Sequence, residues 1–201
     1  MAQATETKVA AAVANPAPLG LIAFATTTLV LSAANSNFSG VTAGGAVTLA
    51  FAFGGLAQLL AGMWEFKNGN TFGGVAFSSY GAFWISFWAY FTFDGDTKLL
   101  GTGSNNLAWY LVGWAVVTGV YLICTFRLNY GLVAVFGLLF ITYILLAIGA
   151  FNPPAAGSMP SPIAGYVGIA TAVAAYYVGL ADLLKAVSKG SINLPLGPIG
   201  G

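Results

Sequence analysis

The chain has 201 residues, 58% of them hydrophobic and only 5% charged, with a formal net charge of +1 and no histidine. Soluble globular domains carry about 25% charged residues, so this is the composition of a membrane protein. The near-neutral balance gives no basis for binding nucleic acid, and a lone Cys124 excludes an intrachain disulfide or a thiolate metal cluster.

Residues 9–64, 68–93, 99–126 and 128–181 carry no charge. Glycine, proline and asparagine clusters divide these blocks into six apolar stretches, 18–34, 44–64, 73–93, 107–126, 130–151 and 163–184. Each is near the ~20 residues a helix needs to cross the hydrocarbon core. Barrel strands would show segments of about 10 residues alternating in polarity, whereas these runs are apolar on all faces. The expectation is an all-α membrane protein: a six-helix transmembrane domain over 15–187, with tails at 1–14 and 188–201. Lys8, Lys67, Arg127, Lys185 and Lys189 fall on one side of this layout, and only Lys98, beside Asp94 and Asp96, on the other. Positive loop residues favour the cytoplasm, which predicts a multi-pass plasma-membrane protein with both termini cytoplasmic. The stretch MAQATETKVAAAVA lacks the order of a cleaved signal peptide, so the first helix is expected to be retained.

The first helix opens at Asn15-Pro16-Ala17-Pro18. A capping asparagine and prolines where amides are unpaired make a good helix start; the same exposed amides attract an anion. Water channels use Asn-Pro-Ala on two half-helices. Here the only other Asn-Pro lies in the loop FNPPAAG and no arginine stands inside a span, so that reading fails. Thr26, Thr27 and Thr28 follow in the first helix, Thr48 and Gln58 in the second, Ser78, Ser79 and Tyr80 in the third, Thr142 and Tyr143 in the fifth, and Thr171, Tyr176 and Tyr177 in the sixth. Hydroxyls can satisfy themselves on the backbone a turn earlier. Gln58 cannot do so easily, and it is the best pore candidate on physical grounds.

Gly54, Gly55, Gln58 and Gly62 are expected along one side of the second helix; Gly165, Gly168, Ala172, Ala175 and Gly179 form a stripe on the sixth. Both patterns suit close helix packing. Glu65 and Asp182 fall near the helix ends, so no buried acid is expected. Without a histidine, a cysteine pair or a buried acid there is no acid/base pair, no activated nucleophile and no metal or haem ligand set. The chain is read as a non-enzyme without cofactors, whose interior would offer a solute hydroxyls, amides and aromatic rings.

Several stretches together carry a family resemblance: NPAPLGL at 15–21, FATTT at 24–28, GGLAQLLAGMWEFKNGNTFGG at 54–74, AFSSYGAFW at 76–84 and LLAIG at 145–149. They resemble the acetate uptake transporter family, which includes acetate/succinate transporters and yeast ammonia/acetate exporters. The resemblance runs in register through the first five helices, continues more weakly into the sixth and ends at LPLG, 194–197. It implies a homo-oligomer, a hexameric ring in the bilayer, with a pathway in each protomer for acetate and similar small monocarboxylates, and possible substrates extending to succinate. Transport would be proton-coupled or channel-like. Phe24, Tyr80 and Leu139 line up with the family's hydrophobic constriction. Asn15, Leu21, Thr27, Thr28, Gln58 and Ser79 are then the residues expected along the path. Transport of ammonia or another small neutral solute, or a purely structural role, stands as the alternative. The loops DGDTKLLGTGSNN and NPPAAGSMPSP differ from the family pattern, and Tyr166 stands where a tryptophan is familiar.

Overall fold

The computed structural model describes residues 13–37, 40–97, 105–152 and 162–199. The first twelve residues, Lys8, Lys98, Pro153 and Pro154 lie outside the described residues, as do the side chains of Asp94 and Asp96. Six helices follow one another: α1 (Ala17–Asn35), α2 (Gly44–Lys67), α3 (Thr71–Thr97), α4 (Asn106–Thr125), α5 (Tyr130–Phe151) and α6 (Pro162–Val187). Five are long and apolar enough to cross a membrane; α3 is the sixth, its buried face built from aromatic rings rather than aliphatic chains. Among the described residues there is no strand, only an isolated bridge between Asn129 and Pro198.

Small residues set which helices touch. α1 packs most extensively on α6, because Gly165 lies against the backbone of Asn35 and Ser36, Gly168 against Ser32, and Gly179 against Leu21 and Ile22. The Tyr176 hydroxyl donates to Thr26 Oγ1 at 2.7 Å across the same seam. In lipid, where no hydrophobic force drives helices together, such close approach supplies the attraction.

The glycines of α2 do not share one side, contrary to the straight-helix expectation. Residues Ala52–Ala57 form a π turn, a widened turn that accommodates an extra residue. A Cβ on Gly55 would stand 2.5 Å from the Ala50 carbonyl oxygen, so the turn requires glycine there. Gly54 consequently faces Thr27 of α1, while Gly62 faces Ser78 of α3. The change of register also turns Gln58, Ala61, Gly62 and Glu65 inward, and all four are buried.

The segment 188–199, read from sequence as a tail, folds back on the bundle. The Tyr130 and Gly131 amides donate to the carbonyls of Gly197 (2.9 Å) and Leu196 (3.0 Å). The Leu132 amide donates to Asn129 Oδ1 at 2.8 Å. The first-turn donors of α5, which have no partner within a helix, are thereby satisfied, two by residues 196–197 and one by the Asn129 side chain. The Asn68 side chain reaches the Ala14 carbonyl at 3.3 Å, so both ends of the described chain lie against turns between helices.

Candidate functional site

Two internal cavities lie end to end between the helices. The first, of about 120 Å³, is lined along α1 by Ala17, Leu21 and Phe24, and along α5 by Leu132, Val135, Phe136 and Leu139. The second, of about 240 Å³, takes over with Phe24, Thr28, Leu31, Ser32 and Asn35 of α1 and with Leu139, Thr142, Tyr143 and Leu146 of α5. On each helix these positions recur every three or four residues, so they occupy one face. Phe24 and Leu139 belong to both cavities and form the partition between them.

Tyr80 completes the wall on the side of the first cavity. Its ring centroid lies 5.7 Å from that of Phe24. Its hydroxyl is 2.9 Å from Thr118 Oγ1. Thr118 already donates to the Trp114 carbonyl at 2.7 Å, so Tyr80 is the donor and its polar atom points to α4. What Tyr80 shows the cavity is therefore ring, and the partition is apolar although one of its residues is a tyrosine. A cluster of rings supports it from behind: Trp114, Tyr121 and Phe136 all lie within 6.0 Å of Tyr80, centroid to centroid.

The polar atoms of the cavities are the ones the fold leaves without partners. Buried side-chain atoms with no hydrogen bond among the described residues are Thr28 Oγ1, Gln58 Oε1, Glu65 Oε1, Ser78 Oγ and Trp84 Nε1. Gln58 and Glu65 line the first cavity; Thr28 and Trp84 line the second. Only Ser78 is elsewhere, packed on Gly62. An unsatisfied buried polar group costs roughly 1–3 kcal/mol, and such groups mark places where water or a ligand supplies the missing bond.

Of the nine residues singled out from sequence, six meet at these cavities: Leu21, Phe24, Gln58, Tyr80 and Leu139 at the first, Thr28 at the second, with Phe24 and Leu139 shared. The other three have different surroundings. Thr27 is fully buried against Gly54 and donates to the Ala23 carbonyl at 3.0 Å. The Ser79 hydroxyl is 2.8 Å from that of Tyr121. Asn15 Oδ1 accepts from the Ala17 amide at 3.0 Å, and Pro16, not Asn15, occupies the cap position. Since Pro16 and Pro18 have no N–H and the Ala17 amide is engaged, few first-turn donors of α1 remain for an anion.

One expectation is overturned. Glu65 is a buried acid, 2% exposed, because the π turn rotates the last turns of α2 toward the bundle interior. It lines the first cavity together with Asp182 and Asn70. Sequence reasoning also passed over Trp84, Ser32 and Asn35. The last two follow Thr28 at helical spacing, and that stripe of three polar residues in an apolar helix was the readable signal.

An outer cavity of about 410 Å³ adjoins the first and shares Asn129, Asp182 and Leu196 with it. Fold and site thus define a multi-pass helical membrane protein with a row of cavities interrupted by one apolar partition. The chain belongs to the GPR1/FUN34/yaaH family, whose model matches residues 2–198. It is 42% identical over 183 residues to acetate permease A of Emericella nidulans, covering 85% of this chain and 61% of that protein. It is 39% identical over 176 residues to ammonia transport outward protein 2 of Saccharomyces cerevisiae, covering 85% of this chain and 61% of that one. The chain thus spans about three fifths of the length of these fungal relatives. With the succinate-acetate/proton symporter SatP of Escherichia coli it is 35% identical over 184 residues, 92% of this chain and 95% of that one. A solved structure of the bacterial acetate channel SatP superposes with a TM-score of 0.83 at 34% identity, covering 92% of this chain and 99% of that one.

Proposed function

We propose that the protein moves acetate and other small monocarboxylates, and also the dicarboxylate succinate, across the plasma membrane through a path inside each protomer. The observation that carries this reading is the pairing of an apolar partition with unpartnered polar atoms on both sides of it. Gln58 supports the solute before the neck and Thr28 and Trp84 after it, while Phe24, Tyr80 and Leu139 strip its water at the neck. Strongly hydrated ions lose more on desolvation than a small, weakly polar acid does. A narrow apolar neck stays closed by dewetting until it widens. The names of the relatives, acetate permease and acetate channel among them, support the substrate class.

Within this reading both termini are cytoplasmic, the first cavity faces the cytoplasm, and protomers assemble as a hexameric ring. Purified protein in liposomes should take up labelled acetate and be inhibited by unlabelled propionate. Empty-liposome rates with protein present would overturn the proposal. A second reading, passage of ammonia, is favoured by one observation: the first cavity holds two carboxyl groups, Glu65 and Asp182, and no lysine or arginine. Competition by ammonium instead of propionate would select it.

A further inference from the structure

The acidic lining of the first cavity raises a question for a carboxylate path. An anion entering there meets Glu65 and Asp182 with no cation among the lining residues. Like charges lining one poorly solvated cavity disfavour one another, which favours uptake of a proton there.

Glu65 has the geometry to be that site. Asn70 Oδ1 accepts from the Gly73 amide at 3.1 Å, which fixes the orientation of the Asn70 amide. Its Nδ2 therefore donates to Glu65 Oε2, at 2.8 Å. With Oε2 held as an acceptor, a proton on this carboxyl resides on Oε1, the buried atom that has no partner. Among the described residues the only other charged group lining the cavity is Asp182 of α6; Lys185, its cationic neighbour, lines the outer cavity instead. Gln58, also buried with an unpartnered Oε1, lines the same cavity two turns from Glu65 along α2, where it can hold the carboxylate during the hand-over.

The geometry points to Glu65 as the residue that hands a proton to the solute before it enters the neck, an inference that rests on the carboxylate-transport reading above. Glu65 Oε1–H donates to an oxygen of the incoming carboxylate. The proton transfers, leaving Glu65 as carboxylate and the solute as neutral acid, and the neutral acid crosses between Phe24 and Leu139. Glu65 regains a proton from water of the outer cavity, past Asp182. Passage in the other direction runs the same steps in reverse: the neutral acid returns its proton to Glu65 and leaves as the anion.

The test is acetate flux in proteoliposomes at pH 7 and pH 5, without a pH gradient. A free acid with a pKa like that of a glutamate side chain is neutral in roughly one molecule in five hundred at pH 7. Wild-type flux at pH 7 above that of protein-free liposomes therefore requires either a proton supplied by the protein or passage of the anion itself, and Glu65→Gln, read against the same background, separates the two. Glu65→Gln should lose at least tenfold at pH 7 and recover most of it at pH 5, where bulk solution supplies the neutral acid. Asn70→Ala, which frees Oε2 and leaves the carboxyl in place, should show a smaller loss with the same recovery.

Unchanged flux of Glu65→Gln at pH 7, or a loss that pH 5 does not restore, would overturn the proposal, the second outcome meaning that Glu65 serves the fold. If Glu65→Gln cannot be purified folded, the same two criteria apply to Asn70→Ala. Absence of wild-type flux at both pH values would instead reject carboxylate transport itself.

Discussion

The two cavities differ in what they offer a solute. The first is bounded by carboxyl and amide groups, Glu65, Asp182, Gln58, Asn70 and Asn129, over a floor of phenylalanines. The second has hydroxyls, an indole N–H and one amide, from Thr28, Ser32, Thr142, Tyr143, Trp84 and Asn35, in a wall of aromatic and aliphatic carbon. Among the described residues the carboxyl groups are thus confined to one side of the Phe24–Leu139 partition, and neutral hydroxyl, indole and amide groups line the other. The difference shows that the partition separates a compartment where a charged solute can be neutralised from one suited to a neutral or singly hydrogen-bonded solute.

The most direct way to break this arrangement is to join the compartments. Leu139→Ala should raise uptake of lactate or succinate by about tenfold relative to acetate, equivalent to ~1.4 kcal/mol of lowered barrier. Uptake of a panel of labelled acids measures it, and an unchanged spectrum would count against a neck at Leu139. Next comes the polar side chain nearest the neck in the first compartment. Gln58→Leu removes a hydrogen bond to a charged group, worth about 1.5–3 kcal/mol, and should lower acetate flux by at least tenfold at neutral pH.

A smaller loss is expected beyond the partition. Thr28→Val keeps the shape but removes one neutral hydrogen bond, about 0.5–1.5 kcal/mol, and should cost only a few-fold in acetate flux. Equal losses for Gln58→Leu and Thr28→Val would erase the proposed asymmetry. Least affected should be Tyr80→Phe, since the hydroxyl it deletes is turned toward Thr118. Flux should stay near wild type while the thermal midpoint falls, in keeping with ~1 kcal/mol of lost hydrogen bonding. A strong drop in flux with an unchanged midpoint would show instead that the hydroxyl faces the solute.

Much of this arrangement was readable along the chain. The small residues of α6 marked a close-packing stripe, whose partner α1 only the structure shows, and Gln58 stood out from the rarity of an amide in an apolar helix. The neck residues could not be derived that way: by spacing alone Phe24 and Leu139 are ordinary core positions, and only the resemblance singled them out. Thr27 and Ser79 were placed on the path only once the resemblance supplied one, since a hydroxyl alone says little. Thr27 takes the local carbonyl one turn earlier, whereas the Tyr121 hydroxyl that meets Ser79 is 42 residues away, which no linear pattern reveals. Glu65 was misread because a helix end is ordinarily wet, whereas the π turn and Asn70 carry this one inside.

By itself the sequence determined that the chain is a helical membrane protein, since charge-free stretches of this length have no other way to satisfy their backbones in lipid. It also determined where helices approach closely, because a missing side chain permits contact whatever the partner. The tertiary structure alone decided which polar atoms are left without partners and on which side of the partition each one stands. Those outcomes depend on helix rotation, on one π turn and on the closing segment at 194–199, and a shift of a single residue in α2 would send Gln58 and Glu65 to another face.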